Sequence, residues 1–284
     1  MPSRIARLIL IYLLSVSSLV VLSQDRFELF EGVTYIRDER SALRPMVIHV
    51  VLIDLQADGI DFMVTPADDL PDYDYTARMT SEFTKEFEVQ LAINGDFFGP
   101  VRDDSNATES GVDAHGLTIL DNVTQTTGYA PPELISTLYI DNENRVSFNE
   151  KPEWVDVAFS GKYMLVVDNE YIPIEDSDPE FINSPHPRSA VGLSEDGQTL
   201  ILIVVDGRQP ANTEGATLPE LATFLKEYGA TNALNLDGGG STSLVILDDM
   251  SKARLINEPV NNETVNVERP IANHLGVFAL LLDE

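Results

Sequence analysis

The sequence has 284 residues, of which 43% are hydrophobic, and this composition is typical of a large folded domain and excludes a disordered chain. Its 47 acidic residues against 18 Lys and Arg give a formal charge of −29, and a field of that sign excludes a binder of the nucleic-acid backbone. The chain has no cysteine, so neither a disulfide nor a lipid anchor on cysteine can form.

The N-terminal segment differs from the rest of the chain. Arg4 and Arg7 precede an apolar stretch, 8–22, and slim residues stand just before a candidate cleavage site at Gln24. This arrangement is typical of a secretory signal, and the stretch is short for a membrane span. We therefore expect 1–23 to be a signal peptide or an uncleaved N-terminal anchor. The protein is then exported to an extracellular, periplasmic or cell-envelope location, with membrane contact only through this segment.

Strands dominate the prediction for 24–284. Residues 24–44 predict an irregular lead-in with one short strand near 33–36. Apolar runs bounded by turn residues predict further strands at 46–55, 60–65, 89–93, 117–120, 137–140, 155–159, 164–167, 190–193, 199–205, 233–236, 244–247 and 275–282. Polar residues predict long loops at 99–115 and 168–187, and long loops are often functional.

Two segments have helical spacing, 77–87 and 218–228. Thr217 and Glu220 form a capping box at the start of the second one. Few helices, many strands and no regular alternation between them predict an α+β fold with a mixed, mostly antiparallel β-sheet. No linker divides 24–284, so we expect a single domain with a few packing helices.

The most informative stretch follows the predicted strand 233–236. It contains an aspartate, three glycines and two hydroxyl residues, namely Asp237, Gly238, Gly239, Gly240, Ser241 and Thr242. Glycines let a ligand approach the backbone closely, and successive N–H groups can form an anion-binding nest. A carboxylate beside such a nest predicts chemistry on an anionic substrate. The alternative is a tight Asp-Gly turn, for which a third glycine is not needed.

Four other segments place polar residues at the ends of predicted strands. Their candidate site residues are Asn94 and Asp96, His186 and Arg188, Asp206 and Arg208, and Arg269. A buried arginine needs an anionic partner, and a carboxylate or a phosphate suits it best. Structural alternatives stay open for each segment: a hairpin turn at the first, and salt bridges or surface turns at the others.

His115 ends the acidic loop and either reaches the site or is solvated. The sequence lacks the signatures of zinc metalloproteases, serine hydrolases and P-loop NTPases. We assign no metal ligand. A divalent cation held by Asp96, Asp206 or Asp237 stays open as an alternative cofactor, because carboxylates suit hard cations.

Taken in chain order, these segments resemble the phosphodiester glycosidase domain family. The resemblance covers most of 88–280 and rests on AINGDFF (92–98), HPRSAVGLSEDG (186–197), LILIVVDGRQ (200–209), GATLPELATFLKEYGATNALNLDGGGSTSLV (215–245) and ERPIANHLGVF (268–278). It implies a hydrolase that cleaves a sugar 1-phosphodiester, such as an N-acetylglucosamine 1-phosphodiester, at the C1–O bond. The expected partner is a sugar-phosphate or glycan substrate of the envelope or the extracellular space.

The resemblance also implies roles for the candidate residues. Asp237, Asp96 and Asp206 would stabilise an oxocarbenium-like centre or act as base or nucleophile. The phosphate would contact Arg188, Arg208 and the amides of Gly238, Gly239 and Gly240, and Arg269 is a further candidate for substrate binding. Asn94, Ser241 and Thr242 would bind the sugar or orient a carboxylate, and His186 or His115 would move a proton.

Two other classes of protein fit the same residues. One is an exported protein that binds a glycan or glycolipid without cleaving it, and the other is a metal-dependent phosphodiesterase. The sequence predicts no oligomeric state.

Overall fold

The computed structural model of the chain describes residues 23–99, 111–175 and 177–282. Most of the predicted N-terminal segment 1–23 and most of the acidic loop 99–115 lie outside the described residues. Within those three ranges, no helix has the length and apolar character needed to cross a bilayer.

The described chain forms 23 strands, three α-helices and two 3₁₀ turns. The strands are β1 Ser23–Phe30, β2 Val33–Arg40, β3 Met46–Asp54, β4 Asp61–Val64, β5 Tyr75–Thr76, β6 Leu91–Asn94, β7 Phe98–Gly99, β8 Gly111–Ala114, β9 Thr118–Leu120, β10 Val123–Thr126, β11 Ile135–Ile140, β12 Val146–Phe148, β13 Val157–Lys162, β14 Met164–Val167, β15 Glu170–Tyr171, β16 Arg188–Ser194, β17 Thr199–Val205, β18 Ala230–Asn235, β19 Leu244–Leu247, β20 Ala253–Leu255, β21 Val260–Asn261, β22 Thr264–Val265 and β23 His274–Phe278. The helices are α1 Thr80–Glu86, α2 Pro179–Asn183 and α3 Leu218–Glu227, and the 3₁₀ turns are Pro132–Leu134 and Gly239–Ser241.

The described strands form one eight-stranded sheet, two five-stranded sheets, a three-stranded sheet of β5, β8 and β7, and the pair β21-β22. The eight-stranded sheet has the order β1-β2-β3-β17-β16-β18-β14-β15, and the five-stranded sheets have the orders β10-β9-β13-β11-β12 and β20-β19-β6-β23-β4. All pairings between described strands are antiparallel. The predicted α+β class, with mostly antiparallel sheets and few helices in one domain, is confirmed.

The large sheet is buried on both faces, which explains its continuous apolar strands. Side chains alternate between faces along a strand. In β17, Leu200 and Leu202 therefore face a core shared with the five-stranded sheets, whereas Ile201 and Ile203 face a second core. Helix α3 covers that second face. Its predicted capping box is present, because Glu220 N donates to Thr217 Oγ1 and Thr217 N donates to Glu220 Oε2.

The N-terminal part of the described chain differs from the predicted irregular lead-in. Strands β1 and β2 form a long antiparallel pair at the edge of the large sheet. Strand β1 is largely exposed from Gln24 to Glu28, so it has no buried face and no apolar period. Hydrogen bonding to β2, rather than apolar burial, makes this segment a strand. The predicted loop 168–187 likewise contains two short elements, β15 and α2.

Antiparallel pairing brings three chain segments to one end of the large sheet. Strand β16 pairs with β17 on one side and with β18 on the other. Its first residue, Arg188, pairs with Val205 at the end of β17, and Ala190 pairs with Asn235 at the end of β18. The segments that follow β17 and β18 therefore emerge beside Arg188, and the second of them carries Asp237.

Candidate active site

A cleft of about 340 Å³ lies where these strand ends meet. Basic, acidic and aromatic residues line it together with the glycine loop: Phe97, Asp178, Glu180, Phe181, His186, Arg188, Arg208, Asp237, Gly238, Gly239, Gly240 and Arg269. Eight of the predicted site residues are therefore brought together in one cleft. The predicted residues outside its lining are Asn94, Asp96, His115, Asp206, Ser241 and Thr242.

Three donors fix the carboxylate of Asp237. Its Oδ2 accepts hydrogen bonds from Ser241 Oγ at 2.5 Å and from Arg269 Nη2 at 2.9 Å. Its Oδ1 accepts the N–H of Gly238 at 2.9 Å. The side chain is 13% exposed, so the carboxylate is held in one orientation at the surface of the cleft. Ser241 lies where it orients a carboxylate, which is one of the two positions expected for it.

Asn94 supports Asp237 from the neighbouring sheet. It ends β6, is fully buried, and donates from Nδ2 to the backbone carbonyl of Asp237 at 2.7 Å. Its Oδ1 accepts from Ser189 Oγ at 2.6 Å and from Ser243 N at 3.2 Å. All these bonds lie within the protein, so the structure places Asn94 as a positioning residue and not as a sugar ligand.

The glycine loop does not form the predicted three-amide nest. The N–H of Gly238 donates to the Asp237 carboxylate, and that of Gly239 donates to the carbonyl of Pro187 at 2.9 Å. Within the described ranges, only the N–H of Gly240 has no hydrogen-bond partner among the three. The prediction that all three amides hold a phosphate is therefore wrong, because two of them are already bonded inside the protein.

The glycines are needed instead for close packing. A Cβ on Gly238 would lie 2.8 Å from the carbonyl oxygen of Pro187. A Cβ on Gly239, whose φ is +60°, would lie 2.7 Å from Nη2 of Arg208. The absence of these side chains lets the Arg208 guanidinium lie directly against the loop that carries Asp237.

Arg208 presents an unpaired guanidinium to the cleft. Its φ is +60°, a backbone conformation that is strained for a residue with a Cβ. In the described part of the chain, no hydrogen bond or ion pair engages its side chain. Partial burial and the charge of Arg269 lower the pKa of Arg208, so an anion placed here is favoured.

Arg188 is mostly bonded to backbone carbonyls. Its Nε donates to Ala216 O at 2.9 Å, and its Nη2 donates to Phe181 O at 2.6 Å and Ser184 O at 3.1 Å. These bonds hold α2 against the cleft and leave only Nη1 for a ligand. Burial, followed by the charge of Arg208, lowers the pKa of Arg188 to about 10. No carboxylate of the described residues pairs with it, so the alternative of a structural salt bridge fails here.

Aromatic rings form one wall of the cleft, next to Arg188. Phe97 contacts Phe181 edge-to-face, with ring centroids 6.1 Å apart, and stacks on His115 at 6.2 Å. The guanidinium of Arg188 lies 5.3 Å from the centre of the Phe181 ring. The sequence prediction missed Phe181 because α2 is only five residues long. The sequence signal that could have revealed this helix is Asp178-Pro179, because Asp178 caps the helix and proline is favoured in the first turn.

Asp96 lies behind the cleft. It is 1% exposed, and its Oδ2 accepts the N–H of Gly116 at 2.6 Å. Its Oδ1 has no hydrogen-bond partner in the described chain. Burial raises the pKa of Asp96 to about 7, with the charge of Asp237 acting in the same direction. Asp96 is therefore a proton-carrying group next to the site rather than a residue on its surface.

Asp206 does not join the cleft, which corrects the prediction. Its Oδ2 bonds to His49 Nε2 at 2.9 Å, and its Oδ1 accepts from Asn257 Nδ2 and Glu258 N, each at 3.0 Å. His49 Nδ1 in turn bonds to the hydroxyl of Tyr35 at 2.7 Å. The chain turns after β17 so that the Asp206 side chain enters this buried network while Arg208 reaches the cleft. Asp206 is a structural residue of the loop.

The other predicted residues have mixed positions. His186 lines the cleft, and burial, helped by the charges of Arg188 and Arg208, lowers its pKa. His115 is partly buried between Phe97 and Tyr129, and burial lowers its pKa also. Both histidines are therefore biased towards the neutral form. Thr242 is fully buried outside the lining of the cleft, and its Oγ1 has no partner among the described residues.

The three predicted carboxylates therefore lie apart. Asp237 lines the cleft, Asp96 lies behind it, and Asp206 belongs to the buried network with His49. Across the three described ranges, no group of three or more His, Cys, Asp or Glu side chains is placed to share a metal ion.

Comparison with known proteins places the chain among phosphodiester glycosidases. A sequence model of the phosphodiester glycosidase family matches residues 87–278. An uncharacterized prophage-derived protein of Bacillus subtilis, YomE, is 33% identical over 34% of this chain and 13% of its own length. The mouse N-acetylglucosamine-1-phosphodiester alpha-N-acetylglucosaminidase is 43% identical over 24% of this chain and 12% of its own length. The chain thus matches only a small part of these curated relatives.

Solved structures share the fold over almost the whole chain. The catalytic domain of the zebrafish N-acetylglucosamine-1-phosphodiester alpha-N-acetylglucosaminidase is 22% identical, with a TM-score of 0.61 over 93% of this chain and 84% of that one. A protein of Burkholderia pseudomallei K96243 has a TM-score of 0.61 at 12% identity, over 92% of this chain and 97% of that one. The family match covers the strand ends, the glycine loop and the arginines of the cleft, and the chain therefore belongs to the phosphodiester glycosidase family.

Proposed function

We propose that the protein hydrolyses a sugar 1-phosphodiester at the bond between C1 and the ester oxygen, releasing the sugar and a phosphate monoester. The observation that carries this proposal is the unpaired guanidinium of Arg208 beside the fixed carboxylate of Asp237. In a chain of formal charge −29, an arginine without a carboxylate partner is suited to an anionic ligand.

The phosphate is expected on the basic side of the cleft. Arg208 offers its whole guanidinium, Arg188 offers Nη1, and Gly240 offers an N–H. Arginine binds phosphate through paired N–H donors, and each such charged hydrogen bond is stronger than a neutral one. Nearby positive charges with no anion between them repel each other, and a bound phosphate removes that repulsion.

The sugar is expected on the other side, between Asp237 and the aromatic wall. Phe97 and Phe181 expose apolar rings against which a pyranose face can pack. This position places C1 beside the Asp237 carboxylate, whose negative charge stabilises the positive charge that develops at C1.

The reaction then needs little acid catalysis. When the C1–O bond breaks, its electron pair stays on the phosphate oxygen, and the leaving group is a phosphate monoester whose second pKa is about 6. The oxygen of a water molecule adds to C1, and this water loses one proton to a basic group. Asp237 is the carboxylate of the cleft that Ser241 and Arg269 hold in place, and it supplies either the negative charge or the base. Asp96 is buried outside the lining of the cleft, and its raised pKa makes it easier to protonate than an exposed aspartate.

Two finer points complete the proposal. The mouse and zebrafish relatives are N-acetylglucosamine-1-phosphodiester alpha-N-acetylglucosaminidases, which supports N-acetylglucosamine as the sugar. The apolar N-terminal stretch preceded by Arg4 and Arg7 supports export, and with it an envelope or extracellular glycan as the substrate.

The products formed from UDP-N-acetylglucosamine test the proposal. Cleavage at C1–O, or at the P–O bond of the same ester, yields N-acetylglucosamine and UDP, whereas cleavage within the pyrophosphate yields the sugar 1-phosphate and UMP. Oxygen from ¹⁸O-labelled water separates the first two, because it enters the sugar only when C1–O breaks. We expect UDP, and we expect its formation to be lost in Arg208→Met and kept in Arg26→Met, which removes an exposed arginine of β1. Formation of UMP would indicate a phosphodiesterase, and binding without turnover of this or any other sugar 1-phosphodiester would indicate a glycan-binding protein.

A further inference from the structure

A cavity of about 420 Å³ is built around the single tryptophan of the chain, away from the cleft. Two segments form it, the turn between β11 and β12 and the segment that precedes β13. Its lining residues are Asp141, Asn142, Arg145, Pro152, Glu153 and Trp154. Among the described residues, none lines both this cavity and the cleft.

The fold separates this cavity from the cleft. Strand β13 begins at Val157 and ends at Lys162. The end at Lys162 lies beside the cleft, because the ammonium of Lys162 is 4.9 Å from the centre of the Phe181 ring. Trp154 precedes the other end of β13, and Asp141 follows the end of β11 that pairs with Val157. The length of β13, roughly 16 Å, therefore lies between the two sites.

Trp154 presents a fixed aromatic surface to this cavity. It is 48% exposed, which is a large fraction for an indole side chain. Its Nε1 donates to Asp156 Oδ1 at 2.5 Å, so the ring is held in one orientation. A ring that is fixed before binding loses little entropy when a ligand packs on it. The face of a pyranose that carries C–H groups is apolar and packs on such a ring.

Hydrogen-bonding groups surround the ring. Asn142 and Glu153 are exposed, and their side chains have no partner in the described chain. Arg145 bonds through Nε to Asp141 and through Nη1 to Glu143, each at 2.7 Å, which leaves its Nη2 for a ligand. The cavity therefore offers an amide, a carboxylate and a guanidinium beside an aromatic surface.

The charges of the lining favour a neutral ligand. The carboxylates of Asp141, Glu143 and Glu153 repel an anion. Arg145 already pairs with the first two, so a cation would meet Glu153 as the unpaired carboxylate of the described lining. A single exposed ion pair contributes little to binding. A hydroxyl group, in contrast, donates to a carboxylate and accepts from an amide or a guanidinium.

We propose that this cavity is a saccharide-binding site separate from the cleft. A pyranose ring packs on Trp154, and its hydroxyl groups bond to Asn142, Arg145 and Glu153. The site needs no phosphate and no bond cleavage, so it does not depend on the reaction proposed for the cleft.

Fluorescence gives a test confined to this cavity, because Trp154 is the only tryptophan of the chain. The full chain is titrated with three neutral trisaccharides, namely triacetylchitotriose, cellotriose and maltotriose, and with tetramethylammonium as a cationic probe. We expect at least one trisaccharide to produce a saturable change in emission. That trisaccharide should bind more tightly than tetramethylammonium.

Variants assign the response to the lining. Asn142→Ala should weaken the trisaccharide about 3- to 10-fold, since it removes one or two hydrogen bonds. This side chain is exposed and unpartnered in the described chain, so its removal spares the fold. Gln198→Ala removes an exposed amide from the turn between β16 and β17 and should leave the affinity unchanged. Arg208→Met, which alters the cleft, should also leave it unchanged. Trp154→Ala should abolish binding measured by calorimetry.

Three results would overturn the inference. The first is the absence of a saturable change with all three trisaccharides. The second is tighter binding of tetramethylammonium than of any trisaccharide, which would indicate a cation site. The third is a response that Arg208→Met abolishes and Asn142→Ala leaves intact, which would place the sugar in the cleft.

Discussion

Arg269 and Ser241 both donate to Oδ2 of Asp237, the arginine from Nη2 at 2.9 Å and the hydroxyl at 2.5 Å. Gly238 N alone bonds to Oδ1 in the described chain, so this oxygen keeps spare capacity as an acceptor. Asn94 fixes the backbone of the same residue from the neighbouring sheet. The site is therefore organised around one immobilised carboxylate, with the unpaired Arg208 on the other side of the glycine loop.

The first prediction concerns that carboxylate. Asp237→Asn keeps the shape of the side chain and removes its charge, so kcat should fall by at least about 10³-fold. Inorganic phosphate should bind as tightly as before or more tightly, because a negative charge has left the cleft. Steady-state kinetics and calorimetry measure the two quantities. Glu180→Gln, the same chemical change elsewhere in the cleft, is the control and should leave kcat within about tenfold. A similar loss in both variants would contradict a special role for Asp237.

The second prediction separates two arginines that look alike in sequence. Arg208→Met should weaken phosphate binding about 10- to 100-fold, since one or two charged hydrogen bonds are lost. Its free energy of unfolding should stay within about 0.5 kcal/mol, because the guanidinium has no partner in the described protein.

Arg188→Met should instead destabilise the fold by about 1–3 kcal/mol, because it removes three hydrogen bonds to backbone carbonyls and releases α2. Urea unfolding and phosphate titration of both variants check the contrast. If Arg208→Met proves the less stable of the two, the assignment of their roles is reversed.

The third prediction tests the close approach of Arg208 to the glycine loop. Gly239 and Gly197 have φ of +60° and +69°, so alanine costs a similar backbone strain of about 1–2 kcal/mol at either position. Only at Gly239 does the new methyl also meet Arg208, because nothing lies within 4 Å of a Cβ at Gly197. We expect Gly239→Ala to weaken phosphate binding and Gly197→Ala to leave it unchanged, at a comparable loss of thermal stability. Equal phosphate affinity in the two variants would mean that Arg208 does not bind the phosphate.

The fourth prediction is a pH dependence of stability caused by Asp96. Burial raises the pKa of this carboxyl to about 7 in the folded protein, above an ordinary value of about 3.9 in the unfolded chain. Between those two values the folded state retains a proton that the unfolded chain has released, so the free energy of unfolding decreases as pH rises.

Asp96→Asn removes this titration, since an amide stays neutral. The variant should therefore gain stability relative to the unchanged chain as pH is raised from about 4 to about 8. Urea unfolding of both chains at several pH values gives this difference in the free energy of unfolding. His274 is buried in both chains, so its titration contributes equally to both and cancels. A difference that does not change with pH would show that Asp96 ionises normally.

Much of the fold could be predicted because the central strands are continuous apolar runs. The limits of β17 and β19 agree with the prediction, since both strands are buried and bounded by turn residues. The edge strand β1 was missed because its exposed side chains show no apolar period. Helix α2 was missed because five residues are too few for a helical period to appear.

Only part of the site could be predicted from the sequence, and the reason is physical. Asp206 and Asp237 each follow a buried strand and precede a glycine, so sequence alone does not distinguish them. Their difference comes from distant partners, His49 and Asn257 for the first and Arg269 for the second. The same limit applies to the glycine amides, because the carbonyl of Pro187, which takes one of them, is brought close only by the fold.

The position of bond cleavage tests the central claim most directly. When a sugar 1-phosphodiester is hydrolysed in ¹⁸O-labelled water, mass spectrometry of the two products shows which bond has broken. Attack of water at C1, next to Asp237, predicts the label on the anomeric hydroxyl of the released sugar and none on the phosphate monoester. Label on the phosphate would show cleavage of a P–O bond and would contradict the account.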